Sequence, residues 1–117
     1  MLSTFQFADH VVGIIVNSDV TEEIIRSIND RIEEKLENHQ KINLFIAIKS
    51  GQEITFNAFL KDISFKSKHL HDFSKLAIVT DLDWFKTYTK FKDLVMDGEI
   101  KSFGTKERIE AINWISQ

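Results

Sequence analysis

Two kinds of apolar pattern alternate along this chain. Val11–Val16, Ile42–Ile48 and Leu76–Thr80 are nearly unbroken apolar runs, which are typical of parallel strands buried on both faces. Over Thr4–Ala8 apolar and polar residues alternate, which predicts a strand with one buried face. Glu99–Phe103 follows a glycine and predicts a short peripheral strand. The pattern therefore predicts a sheet of five strands.

The segments that follow the second and each later strand repeat apolar residues at the period of an α-helix. The first helix is capped by the Thr21 hydroxyl, and its apolar stripe consists of Ile24, Ile25, Ile28, Ile32 and Leu36. The second covers Phe56–Phe73, and Phe65 falls opposite its apolar face. Either this helix breaks near Ile63 and Ser64, which we favour, or one aromatic residue is left outside. The third begins at Asp81 and directs inward Trp84, Phe85, Tyr88, Phe91 and Val95. The fourth, capped by Thr105, packs on the sheet through Ile109, Ile112, Trp114 and Ile115.

The predicted order of elements is β-β-α-β-α-β-α-β-α. Because a helix that joins two parallel strands makes a right-handed crossover, this order predicts an α/β fold with a mixed, mostly parallel five-stranded sheet and about four helices. A short turn at Asp9 and His10 makes the first two strands antiparallel. Since neither a repeat nor a linker interrupts the chain, we expect one domain over residues 1–117.

Composition excludes several classes of protein. The chain has no cysteine, which removes disulfides, thiolate metal sites and thiol nucleophiles. Its net charge of −3 is too small to predict a nucleic-acid surface. No apolar run approaches the roughly 18 residues that a membrane span needs, and the first residues lack the pattern of a secretory signal. We therefore expect a cytoplasmic protein without a transmembrane segment.

Candidate catalytic and metal-binding chemistry is sparse. The four histidines show no ligand spacing, and the four glycines form neither a phosphate loop nor a dinucleotide fingerprint. We expect no metal, no cofactor and no catalytic residue. A polar site, if present, would use Asp62, Lys68 and His69, because His69 could form an acid–base pair with Asp62 or with Asp72. The alternative is that these residues form ordinary surface ion pairs.

Aromatic residues concentrate on the second and third predicted helices. If these helices are neighbours, they could wall an apolar pocket, for which the candidates are Phe56, Phe59, Phe65, Trp84 and Tyr88. The alternative is plain core packing, which is the commoner role of aromatic residues at helical spacing.

The order of elements resembles that of STAS domains, and the residues resemble more closely the SpoIIAA-like (STAS/SEC14-like) family of small bacterial proteins. The stretches that carry the resemblance are Val16–Glu23, Ala58–Asp62, Lys68–Leu70, Phe73–Val79, Asp83 with Trp84, Lys101–Phe103 and Ala111–Ile115. The resemblance implies a STAS-like fold. It also implies a non-enzymatic binding module, whose second and third helices would present an apolar, lipid-like ligand pocket or a surface for a protein partner, a second copy of the chain included.

An alternative function follows from the same resemblance. STAS antagonists of anti-sigma factors are phosphorylated on a serine that follows an aspartate at the start of the helix after the third strand. Here Ser50 follows Lys49, and Thr55 is the hydroxyl nearest the predicted helix start. Thr55 and Ser50 are therefore the candidates for phosphorylation in a regulatory partner protein, although Thr55 has an ordinary role as a helix cap.

Overall fold

The structure, a computed structural model, describes residues 2–5, 8–49, 51–80 and 97–117. Its sheet has the spatial order β1-β2-β3-β4-β5. The strands are β1 (Leu2–Phe5), β2 (Val11–Val16), β3 (Ile42–Ile48), β4 (Phe73–Val79) and β5 (Glu99–Phe103). Strand β1 is antiparallel to β2, and the other neighbouring pairs are parallel. The predicted α/β class with a largely parallel sheet is thereby confirmed.

Three α-helices lie within the described residues, namely α1 (Glu22–Leu36), α2 (Phe56–Lys68) and α3 (Arg108–Ser116). Thr21 caps α1 as predicted, because its hydroxyl accepts a hydrogen bond from the Ile24 amide at 3.4 Å. Thr55 caps α2 in the same way, through the Ala58 amide at 3.1 Å. The helix predicted to begin at Asp81, with Trp84 and Tyr88, lies outside the described residues.

The prediction for the second helix was wrong at two points. Helix α2 runs without a break past Ile63 and ends at Lys68, and Phe73 is already the first residue of β4. Phe65 is not left outside the fold, since it is half-buried against the core and its ring lies 4.5 Å from the ring of His69. Phe73 is 1% exposed in the sheet, so its apolar character belonged to a strand and not to the preceding helix.

Both ends of the chain also differ from prediction. Strand β1 spans Leu2–Phe5, and Ala8 lies in the following turn. Thr105 does not cap the last helix, because a 3₁₀ turn over Thr105–Glu107 precedes α3. The Glu107 carboxylate closes this turn by accepting a hydrogen bond from the Gly104 amide at 2.8 Å. Ile109, expected against the sheet, is 76% exposed on α3.

The sheet carries a separate apolar core on each face. Helices α1 and α2 cover one face, where Ile14, Ile46 and Ile78 lie side by side on β2, β3 and β4. Helix α3 covers the other face through Ala111 and Ile115, which pack with Phe45 and Ala47 of β3 and with Ala77 and Val79 of β4. Alternate residues of each strand therefore contribute to different cores, which is why the strands read as continuous apolar runs.

Backbone hydrogen bonds join the loops that follow β2 and β3 at the carboxyl edge of the sheet. The Val20 amide donates to Glu53 O at 2.7 Å, and the Thr55 amide donates to Val20 O at 3.1 Å. The Glu53 amide donates to the Asp19 carboxylate at 2.9 Å. These bonds hold the N-terminal ends of α1 and α2 next to each other at this edge.

Candidate functional site

A cavity of about 30 Å³ lies between α1, α2 and the carboxyl edge of the parallel strands. Ligands of open α/β proteins usually bind beyond this edge, where the strands end and the helices begin. The cavity is partly open to the surface. The described residues that line it are Val16, Val20, Ile25, Ile28, Ile46, Ile48, Ile54, Ile78, Asp62 and Lys66.

Two charged side chains face this otherwise aliphatic wall. Lys66 Nζ lies 2.5 Å from Asp62 Oδ1, and the two side chains are only 3% and 7% exposed. The residues are one helical turn apart on α2, so both project from the helix face that covers the sheet. Because burying an ion pair often stabilises a protein no better than apolar residues of the same volume, packing alone does not account for this pair.

The Asp62 carboxylate accepts a hydrogen bond from a residue of its own helix. Lys66 donates to Oδ1, and no other described group donates to Asp62. A carboxylate can accept bonds at both of its oxygens, and buried acceptors are usually satisfied. Within the described residues, the buried side-chain polar atom without a hydrogen-bond partner is Asn29 Oδ1, and neither oxygen of Asp62 has that status.

The predicted polar site, Asp62 with Lys68 and His69, is not assembled as a unit. Asp62 pairs with Lys66, whereas His69 Nδ1 lies 2.8 Å from Asp72 Oδ2. Lys68 is exposed at the end of α2. The acid–base pair of His69 with Asp62 does not form in the structure, and the pair with Asp72 forms in a turn after the helix.

Sequence reasoning overlooked Lys66, although a signal was present. Phe59, Asp62, Ile63 and Lys66 follow the spacing of a single helix face, and Phe59 and Ile63 pack against the core. A charged pair at this spacing within an apolar stripe indicates a buried pair. The same residues could easily be assigned to the solvent side, because pairs of opposite charge four residues apart are common on exposed helices.

Only some of the residues of the predicted aromatic pocket belong to the part of the chain that the structure describes. Phe59 and Phe65 are half-buried and pack against the core that α1 and α2 cover, and neither lines the cavity. The Phe56 side chain, Trp84 and Tyr88 lie outside the described residues. A pocket between the second and third predicted helices therefore stays a prediction.

The opposite, amino edge of the sheet carries an open groove between the ends of α1 and α2. Its wall includes His39, His69 and Asp72. His39 Nε2 also lies 3.3 Å from Asp9 Oδ2, which ties the turn before β2 to the loop after α1. Among the residues that the structure describes, no three histidine or carboxylate side chains are arranged to hold a metal ion.

A second histidine–aspartate contact links two loops near this edge. His71 Nδ1 lies 2.5 Å from Asp97 Oδ2, and this hydrogen bond lowers the pKa of the Asp97 carboxyl below its ordinary value of 3.8. His71 is 76% and Asp97 45% exposed at the side chain. The contact is therefore a surface connection between the start of β4 and the start of β5.

The two phosphorylation candidates differ in what the structure shows of them. Thr55 is exposed at the start of α2, and the neighbouring Ile54 lines the cavity. Ser50 lies outside the described residues.

Of the helices in the described ranges, none combines the length and the apolar character needed to cross a bilayer.

An antiparallel strand at the edge of a parallel sheet, with helices on both faces, places the chain in the class of STAS-like α/β folds. The model of the SpoIIAA-like family matches residues 11–116, so the chain belongs to the SpoIIAA-like family, as its residue pattern predicted. Membership of this family supports a general role for the protein as a regulatory or binding module.

One solved structure shows the same fold over nearly the whole chain. It is the crystal structure of an uncharacterized protein of the DUF3478 family with a SpoIIAA-like fold from Shewanella loihica PV-4. The two superpose with a TM-score of 0.69 at 18% sequence identity, and the match covers 98% of this chain and 92% of the other. At this identity the likeness shows the fold alone. No curated protein matches the chain.

Proposed function

We propose that this protein is a non-enzymatic binding module that holds a small, largely apolar ligand in the cavity at the carboxyl edge of its sheet. One observation carries the proposal: among the described residues, eight aliphatic side chains and one buried ion pair line the cavity. Small-molecule sites are typically apolar concavities with a few polar groups that orient the ligand. This ligand site lies between α1, α2 and the sheet, whereas the pocket expected from the sequence lies between the second and third predicted helices.

The size of the cavity limits the ligand. About 10–15 Å³ of such volume holds one water-sized group, so a cavity of about 30 Å³ accepts two or three such groups. A short molecule fits, and so does the end of a longer chain that extends through the open side. A complete lipid does not fit within the described walls.

The chemistry of the wall favours binding over catalysis. No hydroxyl, thiol or imidazole group belongs to the cavity wall as the structure describes it. Asp62 and Lys66 neutralise each other at 2.5 Å. A general acid or base needs hydrogen-bond contact with a reacting group and a matched pKa, whereas a mutually paired acid and lysine can orient a ligand without exchanging protons.

Nuclear magnetic resonance of the isoleucine methyl groups tests the proposal directly. Six isoleucines of the described ranges line the cavity, and the exposed Ile109 is an internal reference. We expect short aliphatic compounds to shift the methyl signals of Ile48, Ile54 and Ile78 in a saturable way and to leave Ile109 unchanged. An absence of saturable shifts for aliphatic alcohols, amines, acids and halides alike would contradict the proposal.

A matched pair of variants separates binding in the cavity from general effects. Ile54→Phe enlarges a half-buried residue of the wall, whereas Ile24→Phe makes the same change at a half-buried residue of the same core outside the wall. We expect Ile54→Phe to weaken ligand binding at least tenfold and Ile24→Phe to leave it within about threefold, since blocked volume removes apolar contacts directly. Equal effects of the two variants would place the ligand elsewhere.

A second candidate function is that of a regulatory partner protein controlled at Thr55. The observation in its favour is that Thr55, an exposed residue, caps α2 through its hydroxyl beside the cavity. A phosphate group at a helix N-terminus meets the positive end of the helix dipole. Phosphopeptide mapping of the protein from its native cells tests this function. Phosphate on Thr55 supports it, and a peptide that is modified only on Ser50 or not at all contradicts it.

A further inference from the structure

We infer that the outer edge of β5 pairs with β5 of a second copy of this chain, in an antiparallel arrangement that continues the sheet across a two-fold axis at Ile100. Glu99 of each copy then lies opposite Lys101 of the other copy. This surface is separate from the ligand cavity, whose described lining residues include none from β5. The inference therefore does not depend on the proposed function.

The outer edge of β5 is accessible to another strand. Strand β5 ends the sheet, and in the part of the chain that the structure describes only β4 pairs with it. Glu99, Lys101 and Ser102 are exposed. An edge strand presents N–H and C=O groups with which another strand can pair, and β5 contains no proline that would block such pairing. The edge is therefore a template for one further strand.

One hydrogen bond shows which residues of β5 direct their backbone groups outward. The Thr80 amide, just past the end of β4, donates to Phe103 O at 2.9 Å, so the backbone of Phe103 faces β4. Successive residues of a strand direct their N–H and C=O groups to alternate edges. The backbone groups of Ile100 and Ser102 therefore face the outer edge, and those of Lys101 face β4.

Two exposed charges of β5 take part in no ion pair among the residues that the structure describes, namely those of Glu99 and Lys101. Lys75 lies next to Glu99 in the register of the sheet, but its ammonium group donates to Trp114 O at 3.2 Å. Lys101 Nζ lies over the Phe103 ring, 5.3 Å from its centre. Because Glu99 and Lys101 are two residues apart, they project from the same side of β5. One negative and one positive charge are thus available to a second copy.

These charges select one register for the pairing of two β5 strands. An axis at Glu99 would place this residue opposite its own copy, and an axis at Lys101 would do the same to the lysine. Like charges directly opposite each other destabilise a strand pair, whereas opposite charges stabilise it. Only an axis at Ile100 places each Glu99 opposite a Lys101. It also brings two half-buried Ile100 side chains together, which removes more of their apolar surface from water.

The backbone favours the same register. Since the backbone of Ile100 faces outward, Ile100 and its copy can exchange both of their N–H···O=C bonds across the axis. Glu99 and Lys101 of the other copy then form a non-hydrogen-bonded pair, in which the Cα atoms are only about 4.5 Å apart and the side chains are close. Charge and backbone thus agree on a second copy as the occupant. Because β5 has only five residues, the interface is small and the dimer is weak and reversible.

Two measurements on the wild-type chain test the inference. Sedimentation velocity at protein concentrations up to about 1 mM gives the dissociation constant of the dimer. Amide hydrogen exchange, followed by nuclear magnetic resonance over the same concentrations, locates the interface. We expect exchange at Ile100 and Ser102 to slow in proportion to the remaining monomer, because their N–H groups become paired only in the dimer. Exchange at Lys101, whose N–H faces β4, should not depend on concentration.

Charge variants test the register. Glu99→Lys and Lys101→Glu each place like charges opposite each other, so we expect each variant alone to dimerise at least about tenfold more weakly than wild type. In an equimolar mixture of the two variants, every lysine again faces a glutamate, and we expect a mixed dimer within about threefold of the wild-type affinity. Lys106→Glu makes the same change of charge at an exposed residue outside β5 and should leave the affinity within about twofold of wild type.

The inference is supported by a wild-type dimer that slows exchange at Ile100 and Ser102, is weakened in each single variant and is restored in the mixture. A chain that stays monomeric at every concentration would overturn it. A dimer in which these two amides exchange as fast as in the monomer would also overturn it, because the interface would then lie elsewhere. Equal effects of Lys101→Glu and Lys106→Glu, or a mixture no tighter than the single variants, would contradict the proposed pairing.

Discussion

Lys66 Nζ lies 2.5 Å from Asp62 Oδ1, with both side chains more than nine-tenths buried against an aliphatic cavity. Taking two charges out of water is costly, and their attraction offsets that cost only where the geometry is good. We therefore expect changes in the pair to affect both the free energy of unfolding and the affinity for a ligand. Both quantities can be measured on the same variants.

Removing one partner of the pair should destabilise the fold strongly. In Lys66→Met the Asp62 carboxylate is left buried without its counter-charge, and we expect the free energy of unfolding to fall by about 3–5 kcal/mol. The double variant Asp62→Leu/Lys66→Met should lie within about 1–2 kcal/mol of wild type. Urea unfolding followed by circular dichroism measures both. Lys68→Met is the control, since an exposed substitution changes stability by about 0.5 kcal/mol or less. A double variant as unstable as the single one would show that the pair stabilises the fold.

A buried asparagine anchors α3 to the sheet. Asn43 is 3% exposed on β3, and its amide donates to Ile115 O at 2.7 Å. Asn43→Ala removes this donor and leaves a buried carbonyl unpaired, so we expect a loss of about 1–3 kcal/mol in unfolding free energy. The amides of α3 should also exchange with solvent faster than those of α1.

The exposed Asn113 on α3 is the control for this change. Asn113→Ala should leave both the unfolding free energy and the exchange rates close to wild type. If Asn43→Ala speeds exchange equally in α1 and α3, the hydrogen bond does not act as a local anchor.

The cap of α2 contributes to stability whether or not Thr55 is modified. Thr55→Ala removes the acceptor for the Ala58 amide, which is 3.1 Å away, and should lower the free energy of unfolding by about 1 kcal/mol. Thr55→Ser keeps a hydroxyl at the same position and should stay near wild type. Thermal or urea unfolding checks both, and equal losses in the two variants would show that the methyl group matters and the cap does not.

The Asp97 carboxyl should titrate below its ordinary pKa of 3.8, because His71 forms a hydrogen bond with its ionised form. A carboxyl whose pKa is lower in the folded than in the unfolded state stabilises the fold above its unfolded pKa. This contribution disappears as the pH falls through the folded-state pKa. Carbon-detected magnetic resonance of the Asp97 carboxyl measures the midpoint. His71→Ala should raise that midpoint towards 3.8, whereas His39→Ala should leave it unchanged.

The hydrophobic pattern of the sequence predicted correctly the elements whose residues fit only one type of secondary structure. The bounds of β2 and β3 coincide with the predicted ones, because strands buried between helices need continuous apolar residues. Those of β5 coincide as well, although this strand is largely exposed and not continuously apolar. The end of α2 was predicted wrongly, since Phe73 continues the helical spacing as well as it begins a strand. Apolar residues satisfy both periods over a short range, and the turn between them carries no proline or glycine to separate them.

The cavity could not be predicted for a different reason. Its wall joins Val16, Ile48 and Ile78 from three strands to residues of two helices, and their meeting depends on register across the sheet. Asp62 was singled out from the sequence, but its partner was sought at His69 and Lys66 was overlooked. A spacing of four residues on a helix fits an exposed pair as well as a buried one. Burial decides between the two assignments, and burial is a property of the assembled fold.

The most direct test of the central claim is to locate a ligand by nuclear Overhauser effects between unlabelled propan-1-ol and the isoleucine methyl groups of the labelled protein. The account predicts effects to Ile48, Ile54 and Ile78, which line the cavity, and none to the exposed Ile109. Effects confined to Ile109 and to other residues outside the cavity wall would contradict the claim that this cavity is the ligand site.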